Sequence, residues 1–548
     1  MKKVFSVILA MLLLAGCAGK TADNTAPDPS GAANQSLGAV KTEEALAQIA
    51  QLGESPDDNY RVWYEIFVYS FCDSNGDGIG DLQGVRSKLP YLQELGVNGI
   101  WFMPIHPSTS YHKYNVSDYY AIDPAYGTMA DFDALMADCE ELGIKVILDL
   151  VVNHTGSEHS WFKTAAAYLK DLPAGAQPNA ADCPYVDYYS FSQDSTAIRA
   201  PKELTGTDWW YEAGFAYDMP DLNLDNPAVR EEIEAIMAFW MDKGVSGFRL
   251  DAAKEFSTGN TAKNVEVLSW LQQAATAIDP EAYLVAEVWD TFANVTAYYE
   301  SGISSIFNYP FGNSDGKIIG VIRGAGNPSV VSTYATALEK ADKAYLGSNP
   351  DYIDAPFLSN HDVGRIAGFA LREEYKTKLA GAMNIFVGGS VFIYYGEELG
   401  MAGSGNDPSK RVAMYWNDTD LTQLPPDARA QEHVFGSLES QRGDDGSIYN
   451  YYRQAIAIRK ALPAISHGRV TAETGLNTGC ISAQRKTWGE EECIILMNIS
   501  PEGVQADLSN YSNWALAATL SADGGEITQQ GNALQLPPYG VAILIPER

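Results

Sequence analysis

The sequence predicts an α/β fold: a (β/α)8 TIM barrel with an inserted subdomain after strand 3 and a C-terminal all-β sandwich domain. Three observations carry that prediction. Eight short apolar runs alternate with amphipathic helical segments over about 400 residues. The stretch of about 155–217 breaks the alternation with aromatics and turn residues and little periodicity. After the helical Tyr451–Leu462, the chain offers only strand-like runs separated by turns.

The elements follow in order. Lys2 and Lys3 precede an apolar run from Val4 to Ala15, too short to span a bilayer and patterned as a signal peptide over residues 1–16. Leu14-Ala15-Gly16-Cys17 resembles a bacterial lipobox, which makes Cys17 the lipidation site and the membrane anchor of an exported chain facing outside the cytoplasm. Residues 17–57 read as a flexible tether, with a short helix at Lys41–Leu52. The barrel is expected over 58–462. Its strands are Val62–Tyr69, Gly99–Met103, Lys145–Val152, Gly247–Asp251, Tyr283–Val288, Ser305–Tyr309, Ala355–Leu358 and Val391–Tyr395. Leu82–Leu95, Met129–Leu142, Pro227–Lys243 and Asn260–Ile278 are helical in spacing. A doubly wound open sheet is the alternative, but no Gly-rich phosphate loop follows any strand. The sandwich, 463–548, contains Cys480–Arg485, Cys493–Asn498, Trp514–Leu520 and Gly540–Ile545 as strands.

Charge and cysteine content narrow the function classes. Seventy acidic against 37 basic residues give a net charge of −33 over 548 residues. Such a surface excludes nucleic acid as a partner, because phosphate binding needs clustered Lys and Arg, and it suits a neutral polar substrate. A 46% hydrophobic content excludes wholesale disorder. Beyond Cys17, five cysteines remain, an odd number that leaves at least one unpaired. Cys480 and Cys493 bound a hairpin and are the candidates for a pair.

Catalytic groups in a parallel barrel collect at the C-terminal ends of the strands. Four of those ends carry ionisable clusters: Asp149-Leu150-Val151-Val152-Asn153-His154, Arg249-Leu250-Asp251-Ala252-Ala253-Lys254, Glu287-Val288-Trp289, and Asn360-His361-Asp362. Arg249 and Asp251 are two apart on a strand and share a face, so the guanidinium is expected to hold the carboxylate ionised. Glu287 lies between apolar neighbours that would raise its pKa.

The segments DLVVNH, GFRLDAAK, AEVW and FLSNHD resemble, in order, the four signature regions of the α-amylase superfamily, glycoside hydrolase family 13. Met219-Pro220-Asp221-Leu222-Asn223 resembles that family's fifth region, and Tyr395-Gly396-Glu397-Glu398-Leu399-Gly400 its eighth-strand region. The resemblance implies Asp251 as nucleophile of a covalent β-glycosyl-enzyme, Glu287 as general acid/base and Asp362 as the third carboxylate. It implies that Arg249 orients the nucleophile, that His154 and His361 bind the reacting sugar, and that Tyr114 is the aromatic platform beneath it. Retaining hydrolysis independently needs one ionised and one protonated carboxyl about 5–5.5 Å apart.

Asp73, Asn75, Asp77 and Asp81, with the carbonyl of Ile79, have the alternate spacing of a Ca2+ loop, and similar loops in relatives bind Ca2+. An Asn/Asp/Gly turn is the alternative. Lys254 matches the residue with which amylases grip a more distant sugar, favouring α-1,4 bonds of starch or maltodextrin; Glu255 stands where amylases carry His. Within the family, an exo-acting or α-1,6-cleaving glucosidase, a neopullulanase-like enzyme or a transglycosylase is the alternative. A glucan-binding lipoprotein on an inactive barrel is the alternative outside enzymes.

Overall fold

The computed structural model describes residues 42–173 and 175–547. The signal segment, Cys17 and most of the expected tether lie outside the described residues. The short helix expected at Lys41–Leu52, within the tether, is present and is anchored. Thr42–Ile49 is a helix whose Thr42 N–H donates to Asp445 at 2.9 Å and whose Glu43 pairs with Arg453 at 2.9 Å. Thr42 and Ile49 are buried, so this stretch is part of the folded body.

Eight parallel strands build the barrel: β1 (Val62–Ile66), β2 (Gly99–Phe102), β3 (Lys145–Leu150), β4 (Gly247–Leu250), β5 (Tyr283–Ala286), β6 (Ser305–Phe307), β7 (Ile353–Ala355) and β8 (Val391–Tyr394). They pair in sequence from β1 to β7, and β8 pairs with β1. Closure between β7 and β8 comes from Ser390 N–H to Asp354 O at 2.7 Å and Phe392 N–H to Pro356 O at 2.8 Å. β7 ends three residues before the expected Leu358, because Pro356 has no N–H to continue a ladder.

Strand parity separates two cores. Trp63, Trp101, Ile147, Val285, Phe307 and Phe392 point inward and fill the barrel. Gly99 makes room for the largest of them: a Cβ there would lie 2.4 Å from the Trp63 ring. Tyr64, Ile66, Ile100 and Phe102 point outward into the core shared with the helices. The next inward position after each interior residue arrives at the C-terminal mouth. Glu65 follows Trp63, Asp149 follows Ile147, and Glu287 follows Val285.

Local chemistry sets the helix limits. Thr128 and Asp131 form a capping box at the start of Met129–Glu141. Asn226 caps Pro227–Asp242, with Pro227 in the first turn, and Asn260 caps Thr261–Ile278. The expected Leu82–Leu95 helix is two, Leu82–Ser87 and Leu89–Leu95. Pro90 opens the second and cannot donate back into the first. The insertion holds a helix, Ser160–Asp171, and a small antiparallel sheet of Phe191–Ser192, Trp210–Glu212 and Pro201–Glu203.

The C-terminal strands are β9 (Arg469–Ala472), β10 (Ile481–Trp488), β11 (Glu491–Asn498), β12 (Val504–Asp507), β13 (Trp514–Leu520), β14 (Thr528–Gln530), β15 (Ala533–Leu536) and β16 (Val541–Pro546). They form a five-stranded sheet in the order β9-β10-β11-β16-β13 and a three-stranded sheet β12-β15-β14. Ile494 and Leu496 face the sandwich core, whereas Cys493, Ile495 and Met497 face the barrel's outer core. The larger sheet is therefore a middle layer, buried on both sides. All five described cysteines are free: Cys493 stands opposite Lys486 in the register, and Cys480 sits at the other end of the hairpin. No described helix is long and apolar enough to cross a membrane.

Candidate active site

A cleft of about 330 Å³ opens at the C-terminal mouth, lined by Tyr114, His154, Asp251, Lys254, Glu287 and Asp362 among others. Arg249, fully buried on β4, is the floor's organising group. One of its terminal nitrogens donates to Asp251 at 2.7 Å and to Asp149 at 2.9 Å; the other donates to Glu287 at 2.7 Å. One guanidinium thus bridges the two carboxylates. The Ala252 N–H adds a bond to the same Glu287 oxygen at 3.0 Å, while Tyr309 donates to the other at 3.3 Å. Ala252 has φ of 51°, a left-handed backbone that turns this N–H toward the glutamate.

The opposite wall is built on His361. Its Nε2 lies 3.0 Å from Asp362 Oδ2 and 2.7 Å from the Tyr114 hydroxyl. Arg411 donates to Asp362 at 3.1 Å and to Asp407 at 2.9 Å. His154 bonds the Tyr114 carbonyl at 3.2 Å. Lys254 stands at the rim, donating to the Trp289 carbonyl at 3.0 Å. All eight residues expected at catalysis or sugar binding converge here.

The electrostatics separate these acids. Burial raises Asp251 and Glu287 above the usual carboxylate range, against the pull of Arg249. Burial likewise pushes Asp149 up to about 7. For Asp251 this differs from the expectation that Arg249 alone would hold it ionised: three acids share that one cation, and desolvation prevails. At Asp362, burial is outweighed by His361 and then Arg411, which hold it far below the usual range. Burial lowers His154 to about 4, leaving it neutral. Asp362 is thus fixed as an anion, whereas burial favours the protonated form of both Asp251 and Glu287.

Glu65, Asp149, Arg411, Asp407 and Tyr309 were not singled out from the sequence. Strand parity was a usable signal for Glu65 and Asp149, each two residues beyond an inward apolar side chain. Arg411 and Asp407 come from an irregular loop after β8 that carries no periodic pattern.

The Asp73–Asp81 loop lies apart from the cleft. Asp73 accepts from the N–H groups of Asn75, Gly76 and Gly78 at 2.7–3.0 Å. Asn75 accepts from Asp77 N–H at 2.9 Å, and Asp77 from Ile79 N–H at 2.8 Å. Asp81 caps Leu82–Ser87 through Gly84 N–H at 2.6 Å and also accepts from Ser74. Among the described residues, no three His, Cys, Asp or Glu side chains converge as a metal cage. The loop offers oxygen donors only, from its aspartates, the Asn75 amide and the Ile79 carbonyl, the ligand type that a hard cation takes.

A closed parallel barrel whose mouth gathers three carboxylates, an arginine and two histidines around one cleft defines a class: enzymes that cleave or transfer glycosidic bonds. The alpha-amylase catalytic-domain family model matches residues 65–468. Alpha-amylase 3 of Dictyoglomus thermophilum is 38% identical over 420 residues, covering 75% of this chain and 79% of its own. The 4-alpha-glucanotransferase of Thermotoga neapolitana is 34% identical over 363 residues, covering 64% and 75%. Among solved structures, Eubacterium rectale Amy13B superposes with a TM-score of 0.88 at 42% identity, over 92% of this chain and 98% of that one. The chain belongs to the alpha-amylase family and is a glycoside hydrolase family 13 enzyme.

Proposed function

We propose that this enzyme cleaves α-1,4-glucosidic bonds of starch or maltodextrin by a retaining mechanism. Asp251 attacks the anomeric carbon and forms a β-glycosyl-enzyme; Glu287 protonates the departing oxygen and then deprotonates the incoming water. Asp362 grips sugar hydroxyls, Tyr114 supports the ring, and Arg249, His154 and His361 orient the site. The observation that carries this reading is the pair of carboxylates, Asp251 and Glu287, joined by the buried Arg249. The nucleophile role calls for an ionised Asp251, which the Arg249 guanidinium favours, and the acid role for a protonated Glu287, which burial favours. Glucan transfer is a second reading. It is favoured by Trp289, 45% exposed and stacked on Tyr309 beside Glu287, a platform for an acceptor sugar.

Ca2+ in the Asp73–Asp81 loop would brace the connection that leaves β1. The sequence further supports export and tethering at Cys17. The test of the activity compares amylose, pullulan and isomaltose with wild type and Asp251→Asn. Wild type should release reducing ends from amylose, and the variant should lose at least about a thousandfold in kcat. Glucan binding with no bond cleavage by wild type would overturn the enzyme reading, and isomaltose cleavage without amylose cleavage would redirect it to α-1,6 bonds.

A further inference from the structure

His361 has an acid on each side of its ring. Nδ1 lies 2.5 Å from Glu65 Oε1, on the far side of the barrel mouth from Asp362. Nε2 faces Asp362 Oδ2 at 3.0 Å and the Tyr114 oxygen at 2.7 Å. The Tyr114 hydroxyl also bonds Asp149 Oδ2, 2.8 Å away. Each ring nitrogen thus faces a carboxylate oxygen, Glu65 at Nδ1 and Asp362 at Nε2, an arrangement satisfied when both nitrogens carry hydrogen.

We propose that Glu65 is a positioning residue that holds His361 as a permanent imidazolium, giving the cleft wall beneath Asp362 a fixed positive charge in place of a titrating ring. The inference rests on the glycosidase reading of the cleft and adds to it a charge state and the residue that sets it. Glu65 is buried at the end of β1 and also accepts the His361 backbone N–H at 3.3 Å, so ring and backbone are pinned to one carboxylate. The other groups around the ring are Trp101 edge-on at 5.7 Å, Arg411 bonded to the His361 carbonyl at 3.2 Å, and the Arg249, Asp149 and Asp251 cluster behind Tyr114. His112 stands near but is neutral, lowered by burial to about 4. Two arginines beside an imidazolium would disfavour it, and Arg411 already shares Asp362. Asp362 and Glu65 together make the cation tenable, and of the two only Asp362 lines the cleft. Burial alone would lower His361, yet Asp362 and Glu65 raise it to about 10. Burial also raises Glu65, but the ring holds its proton far above any ordinary carboxyl.

The consequence is that the acids around Arg249, and not His361, shape the alkaline side of the pH–rate profile. In wild type, log(kcat/KM) on maltodextrin should fall with a slope of −1 above neutrality. Glu65→Gln keeps an acceptor for Nδ1–H but removes the charge; His361 then titrates as well, the slope becomes −2, and about tenfold more activity is lost per pH unit. Glu65→Asp keeps the charge and the slope of −1. Independently, 15N spectra of histidine-labelled wild-type enzyme at pH 8 should show one ring with both nitrogens protonated, identified by its loss in His361→Asn. A neutral His361 in wild type at pH 8, or an unchanged slope in folded Glu65→Gln, would overturn the proposal. Absence of glucan cleavage by wild type would instead overturn the functional reading, and the nitrogen spectra would still decide the charge of His361.

Discussion

Two adjacent glutamates, Glu397 and Glu398, sit wholly buried just beyond β8 with one oxygen each lacking a hydrogen-bond partner. Tyr452 donates to Glu397 at 3.2 Å, and Tyr64 and Tyr91 donate to Glu398. Burial pushes them up to about 8 and about 7, from a free value of 4.5. The folded chain therefore keeps protons that the unfolded chain releases as the pH rises. Their contribution to stability is complete below about pH 4.5 and is lost progressively up to about pH 8. Glu397→Gln should flatten that decline, adding on the order of 2 kcal/mol at pH 8 and almost nothing at pH 4.5. Urea unfolding at the two values checks it; an equal effect at both would contradict the account. At this scale the sequence was readable where an acid ends an apolar strand, as at Asp251 and Glu287. It was opaque where partners come from distant elements: nothing in the neighbourhood of Glu65 points to His361, nearly 300 positions away.

Among the elements, the loop between β1 and Leu82–Ser87 is a Ca2+ candidate from the alternate spacing of its oxygens and from similar loops in relatives. Its use of Asp81 as a helix cap was not legible, since capping and metal ligation want the same residue type. With Ca2+ bound, the aspartates would be neutralised and the β1 connection stiffened. Excess EDTA should lower the melting temperature by about 5 °C or more, and Asp77→Ala should remove that sensitivity. An EDTA-insensitive wild type would take the metal out of this loop. Most of the barrel strands were legible because they are largely apolar on both faces; β7, Ile353-Asp354-Ala355, carries an acid and was placed two residues late. β9, β12, β14 and β15 were missed because they are three or four residues long with polar residues at alternate positions.

Over the whole molecule, the five-stranded sheet joins barrel and sandwich into one body. Lys486 on β10 is buried, donates to the Val387 carbonyl, and is lowered to about 8 by burial. Gln484 reaches the Phe386 carbonyl at 3.3 Å, and Asn477 the Ser332 carbonyl at 3.0 Å. A chain ending at Leu462 would expose the apolar wall that Ile495, Met497 and Ile543 cover. It should be insoluble or melt at least about 10 °C lower, and wild type should unfold in a single calorimetric transition. Two resolved transitions would show that the two parts are separable.

That doubly covered sheet also limits how the enzyme can move. A layer packed on both faces leaves no hinge between barrel and sandwich, so the sandwich cannot swing to close over a bound glucan. The insertion is itself packed on the barrel, through Trp161 and Phe162 in the shared core and through Arg199 to Asp221 at 2.8 Å. The sandwich acts as a fixed buttress, leaving adjustment at the cleft to rim side chains such as the exposed Phe215.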